Sequence, residues 1–183
     1  MERTHQPSNR RSALQAEIQQ TRPFRSLSQE AVLGLFRTSD MVRRHVAAAI
    51  EPEGISMQQY NVLRILRGAG EDGLATLAIA ERMIERTPGI TRLLDRLEAH
   101  GRVARHRSSG DRRRVVCQIT PDGLDLLARL DPQVDSIDDV LNFALAPQEL
   151  DRLIRLLDQI RTALVDLNDP GDSTHVAETD RDS

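Results

Sequence analysis

Residues 86–120 read RTPGITRLLDRLEAHGRVARHRSSGDRRRVVCQIT, a helical pattern that passes directly into a hairpin pattern. Thr87 can accept the capping hydrogen bond of a helix start, and Pro88 suits the first helical position, where no N–H is needed. Ile90, Leu93, Leu94 and Leu97 recur at three- and four-residue spacing, which predicts one buried apolar face. Gly101 is a stop signal. A helix from Thr87 to His100 would be about 21 Å long at about 1.5 Å per residue, a length that suits a major groove. Arg102, Val103, Ala104 and Arg105 then predict a short strand. Val115, Cys117 and Ile119 alternate with Val116 and Gln118, the rhythm of a half-buried second strand. Between the strands lies His106 to Arg114, where Ser108, Ser109 and Gly110 allow a turn. Arg105, Arg107, Arg112, Arg113 and Arg114 load this end of the hairpin, and so cationic a tip is expected outside the core.

A helix followed by a charged hairpin is the winged helix-turn-helix arrangement. The helix would enter the major groove of DNA and the hairpin tip a neighbouring minor groove, whose concentrated negative potential attracts inserted arginine. The plainer reading is a solvated charged hairpin on an α+β protein; the helix signal directly before it favours DNA. On this reading Arg86, Thr87, Pro88, Gly89, Thr91 and Arg92 line the reading face. Arg92 is the expected base reader, because arginine pairs with guanine through two hydrogen bonds. Thr91 and Arg86 suit phosphate equally well. The alternative for Arg92 is a surface ion pair with Asp95 or Glu98.

Five stretches make the chain resemble the MarR family of transcriptional regulators. They are ISMQQYNVLRIL (Ile55 to Leu66), GLATLAIAERM (Gly73 to Met83), TPGITRLLDRLEAHG (Thr87 to Gly101), GDRRRVV (Gly110 to Val116) and ITPDGLDLL (Ile119 to Leu127). The resemblance covers residues 28 to 167 or thereabouts. It implies a mainly α fold with a small β-wing, a winged helix-turn-helix domain and N- and C-terminal dimerisation helices. It implies a homodimer that binds double-stranded DNA at a pseudo-palindrome, typically as a repressor released by a small aromatic or phenolic effector or by cysteine oxidation. The family's D-x-R pattern at the wing tip falls on Asp111 and Arg113, with the arginine in the minor groove and the aspartate orienting it; Arg107, Arg112 and Arg114 are expected beside them. Effectors in the family sit between the dimerisation helices and the winged domain, which makes Arg43, Arg44, His45 and Tyr60 candidate ligand contacts. One departure stands out: the helix-turn-helix turn carries Ile84-Glu85 rather than glycine and an apolar residue, with Ile84 expected to take the apolar packing role.

Composition agrees with this reading. Aromatic residues are 2% of the 183, so the core must be aliphatic and helices are favoured. The net charge of −3 conceals a division: residues 56–120 carry 12 arginines against 7 acids, and residues 121–183 carry 5 against 15. A basic middle and an acidic C-terminal third suggest one surface for phosphate and another kept away from it. Neither a membrane-spanning run nor a signal peptide is expected, so a cytoplasmic location is the simplest reading. Cys117 is the only thiol; its phase with Val115 and Ile119 predicts a buried structural residue, with a redox switch as the alternative. His5, His45, His100, His106 and His175 are scattered, so no metal or other cofactor is expected. No G-x-S-x-G, P-loop or H-E-x-x-H pattern occurs, which argues against an enzyme.

In chain order, residues 1–26 predict a mobile N-terminal arm with a weak helical patch from Ser12 to Gln20. The family-type domain is expected over 27–167, with the DNA-binding core at 55–120 and dimerisation helices at 27–50 and 121–167. Ser56 and Gln59 match a capping box for a helix from Met57 to about Arg67, with Tyr60, Leu63 and Leu66 inward. Thr120-Pro121 opens a helix along Leu124, Leu127 and Leu130 that Asp131-Pro132 is expected to interrupt, resuming over Gln133 to Ala144. Pro147 opens a last helix with Leu150, Leu153, Ile154, Leu157, Ile160 and Leu164 on one face. Residues 168–183 predict an acidic disordered tail. A helical adaptor or anti-repressor of the same fold is the rival function, disfavoured by the intact Asp111 and Arg113.

Overall fold

In the computed structural model, which describes residues 12–85, 88–107 and 115–168, local signals set the element boundaries. Ser26 caps α2 (Leu27–Ile50) by accepting from the Gln29 N–H at 3.1 Å. Before it, α1 (Ala13–Glu17) lies along α2, with Glu17 paired to Arg37 at 2.8 Å. The predicted capping box closes α3 (Met57–Ala69): Ser56 Oγ accepts from the Gln59 N–H at 3.3 Å, and the Gln59 side chain accepts from the Ser56 N–H at 3.0 Å. There follow α4 (Thr76–Arg82), α5 (Ile90–Ala99), the hairpin β1 (Val103–Arg107) and β2 (Val115–Ile119), α6 (Pro121–Ala144) and α7 (Pro147–Asn168).

The chain divides into two units, residues 1–135 and 136–183. The core of the first is aliphatic, as the composition requires. Ile50, Val62, Leu63 and Leu66 from α2 and α3 meet Ile79 of α4, Leu94 and Leu97 of α5, Cys117 of β2 and Leu126, Leu127 and Leu130 of α6. The hairpin is antiparallel, with Val103 opposite Ile119, Arg105 opposite Cys117 and Arg107 opposite Val115. Leu74 adds a short third edge: its N–H donates to the Cys117 carbonyl at 2.9 Å, and the Cys117 N–H returns the bond at 2.8 Å. Gly73 permits this approach, since a Cβ there would lie 2.6 Å from the Cys117 carbonyl oxygen and its φ is +60°. The second unit holds the end of α6 and α7, where Glu149 accepts from the Ala146 N–H at 2.8 Å and Arg155 and Arg161 pair with Asp151 and Asp158.

The fold is mainly helical with a two-stranded wing, as expected, but four local expectations change. Helix α5 begins at Ile90, not at the Thr87–Pro88 step, because Gly89 takes φ +93° and serves as the N-cap; the helix is about 15 Å long. Its far end matches: the N–H of Gly101 (φ +68°) bonds to the Glu98 carbonyl and that of Arg102 to the Leu97 carbonyl, both at 2.9 Å. Ile84 does not pack inward. It is 86% exposed, and Met83, in extended backbone after α4, packs on the core instead. Helix α6 buries Leu126 beside Leu127 and Leu130, leaving Leu124 exposed. It also continues through Pro132 without interruption. Burial of Leu130 and Val134 on either side of the proline, and the two-pronged Arg67–Asp131 pair at 2.6 and 3.3 Å, offset the one hydrogen bond a proline removes.

Candidate nucleic-acid interface

The outward face of α5 is set by its own periodicity. Leu94 and Leu97 are fully buried, so Thr91, Arg92, Asp95 and Arg96 are turned to the surface, with Pro88 and Gly89 exposed at the helix start. Arg107, at the outer end of β1, is exposed as well. The structure therefore brings Pro88, Gly89, Thr91 and Arg92 onto one exposed surface, whereas Arg86, Thr87, Asp111, Arg112, Arg113 and Arg114 lie outside the described residues. β1 and β2 lead into and out of the arginine-rich segment 108–114.

The acidic residues of α5 pair differently from the surface contact considered for Arg92. Asp95 and Glu98 both face Arg105, at 2.7 and 3.0 Å. Arg105 thus leaves the cationic tip to which its sequence neighbours assign it. In β1 it lies in phase with the buried Val103 and opposite the buried Cys117, on the inward face of the hairpin. That phase was readable from strand alternation, but the surrounding arginine run concealed it.

Two side chains with no motif of their own shape the approach to α5. The Asn61 side-chain Oδ1 accepts from the Ile84 N–H at 3.0 Å, which holds the glycine-free turn to α3. Arg43 of α2 pairs with Glu85 in the same turn. Both link the turn to distant residues, so the surrounding sequence carries no sign of them.

The four candidate effector contacts are each engaged in their own way. Arg43 faces Glu85, and Arg44 faces Asp40, whose carboxyl is held below its usual range by the Arg44 hydrogen bond. His45 is exposed on α2. Tyr60 is 5% exposed, with the Arg64 guanidinium 5.8 Å from its ring centre, and burial pushes its phenol up. Among the described residues no group of three His, Cys, Asp or Glu side chains is placed to hold a metal ion, and no helix is long and apolar enough to cross a membrane.

Comparison with known proteins places this geometry. The model of the MarR family matches residues 55–115. A MarR transcription factor from Planctomyces limnophilus has a solved structure that is 42% identical, covering 75% of this chain and 99% of that one, with a TM-score of 0.55. CouR from Rhodococcus jostii, solved with p-coumaroyl-CoA, is 26% identical over 75% of this chain and 95% of its own, with a TM-score of 0.65; CouR has also been solved on a 23-mer DNA duplex, as a transcriptional repressor. A protein assigned to transcriptional regulation of the hcr operon in Thauera aromatica is 32% identical over 59% of this chain, which spans 64% of that protein's length.

Proposed function

The chain belongs to the MarR family of transcriptional regulators, and from that premise we propose that it is a sequence-specific repressor that binds a pseudo-palindromic operator as a homodimer. The observation that carries this reading is the exposed face of α5, where Thr91 and Arg92 stand outward while both neighbouring carboxylates are matched by Arg105. A reading helix whose two acids share one guanidinium meets phosphate with reduced like-charge repulsion. Arg92 contacts a base edge, and Thr91 with Arg86, Thr87, Pro88 and Gly89 lines the groove wall. Arg113, oriented by Asp111, enters the minor groove, and Arg107, Arg112 and Arg114 meet phosphate.

Self-association is supported by apolar surface that a single chain leaves uncovered. Phe36 and Leu27 of α2 are 69% and 68% exposed, and Ile154 of α7 is 58% exposed. Joining two chains about a two-fold axis would present two α5 helices to one side of the duplex, with half-sites roughly 34 Å apart. A small aromatic or phenolic molecule is the effector class, supported by the p-coumaroyl-CoA complex of CouR. Arg43 or Arg44 would receive it only by releasing Glu85 or Asp40, with His45 and Tyr60 as further contacts.

Selection of bound duplexes from genomic DNA by the purified protein tests the reading, with Arg113→Ala and Arg92→Ala alongside. The expected result is an enriched pseudo-palindrome whose binding weakens by about 1–3 kcal/mol in each variant. Absence of enrichment, or binding insensitive to salt, would favour the adaptor reading, because contacts to several phosphates weaken steeply as salt rises.

A further inference from the structure

The wing and the reading helix are separate elements joined by a short turn, and one side chain fastens them together. From its inward place on β1, Arg105 reaches across to α5. Its Nη1 lies 2.7 Å from Asp95 Oδ1 and 3.0 Å from Glu98 Oε2, and Nη2 donates to the Thr91 carbonyl at 3.4 Å. These partners span two turns of α5, so the guanidinium resists both sliding and tilting of the strand along the helix. The Arg105 side chain is 24% exposed, against 52% for Asp95 and 41% for Glu98, which places the three at the edge of the core. Burial opposes its charge, yet the hydrogen bonds it donates to Asp95 and Cys117 and the nearby carboxylates hold its pKa above the ordinary arginine value.

We propose that Arg105 is a positioning residue for DNA recognition: it sets the angle of the wing against α5 so that both reach adjacent grooves in one pose, without itself touching DNA. The proposal rests on the DNA-binding reading above. Its physical basis is preorganisation. A wing held at a fixed angle delivers its contacts at high effective concentration once α5 is seated, whereas a wing free to swing must be ordered at the moment of binding. On non-specific DNA the phosphates attract in any register, so that loss matters little. On the operator, register decides which contacts form. The clamp therefore serves discrimination more than raw affinity.

The test uses the full chain and measures binding to the duplex enriched in the genomic selection and to a scrambled duplex, each over a salt series. Arg105→Ala is compared with a second variant, Asp95→Ala with Glu98→Ala, which keeps Arg105 and removes its partners. The second variant changes only half-exposed helix positions and reads the clamp even if the first fails to fold. Charge alone predicts that removing two carboxylates tightens binding to both duplexes equally. The clamp predicts that the ratio of operator to scrambled affinity falls at least about fivefold in both variants, the order of one mismatched base pair, with the salt slope of Arg105→Ala unchanged. An unchanged ratio would overturn the clamp alone. A salt slope shallower by about one in Arg105→Ala would make Arg105 a phosphate contact and also overturn it. Failure of the wild type to bind any duplex would overturn the DNA-binding reading itself, and the clamp with it.

Discussion

Gly68 and Gly123 both lie within helices, and helix propensity alone favours alanine at either by up to about 1 kcal/mol. Tertiary structure separates them. A Cβ on Gly68, near the exposed end of α3, would meet nothing within 4 Å. Gly68→Ala should stabilise by about 0.5 kcal/mol. A Cβ on Gly123, in the first turn of α6, would lie 2.4 Å from the Arg102 carbonyl oxygen and 2.7 Å from Ile119 Cγ1. That carbonyl cannot move freely, because it accepts from the Thr120 N–H at 3.2 Å. Moving α6 away instead strains the start of the helix, where the Gly123 N–H donates to Thr120 Oγ1 at 3.1 Å and Thr120 Oγ1 donates to the Gly101 carbonyl at 2.6 Å. Overpacking costs about 1–3 kcal/mol and a lost cap about 1 kcal/mol. Less the propensity gain, Gly123→Ala should destabilise by about 1–3 kcal/mol. At about 2–4 °C per kcal/mol for a chain of this size, Tm should fall by roughly 2–12 °C for Gly123→Ala and rise by about 1–2 °C for Gly68→Ala. Thermal unfolding followed by circular dichroism reads both, at one protein concentration, since self-association shifts Tm. A Gly123→Ala protein as stable as the wild type would refute the close packing of α6 on the strand.

Two further outcomes follow from burial. Tyr60 is the only tyrosine and the chain has no tryptophan, so its ionisation can be followed directly by absorbance. Burial raises its phenol above the ordinary 10.0; the folded state then holds the proton more tightly than the unfolded chain, and this contribution to stability, complete below about pH 10, declines as pH rises further. A midpoint at or below the ordinary value would contradict that burial. Cys117 is fully buried, so a water-soluble thiol reagent should label it only at the rate of unfolding, and peroxide should leave DNA binding unchanged; rapid labelling of the native protein would refute this.

The helix starts at Met57 and Pro121 were legible because their signals are local: Ser56 with Gln59, and Thr120 with Pro121. The start of α5 departs from equally local signals. Thr87-Pro88 matches a cap pattern, yet Gly89 in the left-handed region makes the helix begin later. The turn at 83–85 departs from its local pattern for another reason. Met83 and Ile84 are both apolar, and only the bond from the Ile84 N–H to Asn61 and the position of the core decide which one turns inward. Of the candidate interface, the exposed face of α5 followed from its apolar spacing, while the partners of Asp95 and Glu98 did not.

By itself the sequence determined the helix periodicities, the hairpin, the stop at Gly101 and the basic middle of the chain, because caps, turns and amphipathic spacing act within about four residues. Only the tertiary structure decided that α6 runs through Pro132, that Gly73 and Gly123 leave room for neighbouring backbone, and that Arg105 pairs with Asp95 and Glu98. Those outcomes depend on what approaches from elsewhere in the chain: Asp131 is anchored by Arg67, 64 residues away, and Arg105 holds the Thr91 carbonyl 14 residues before it. An ion pair or a close backbone approach leaves no periodicity in the sequence, since its partners meet only when the core has formed.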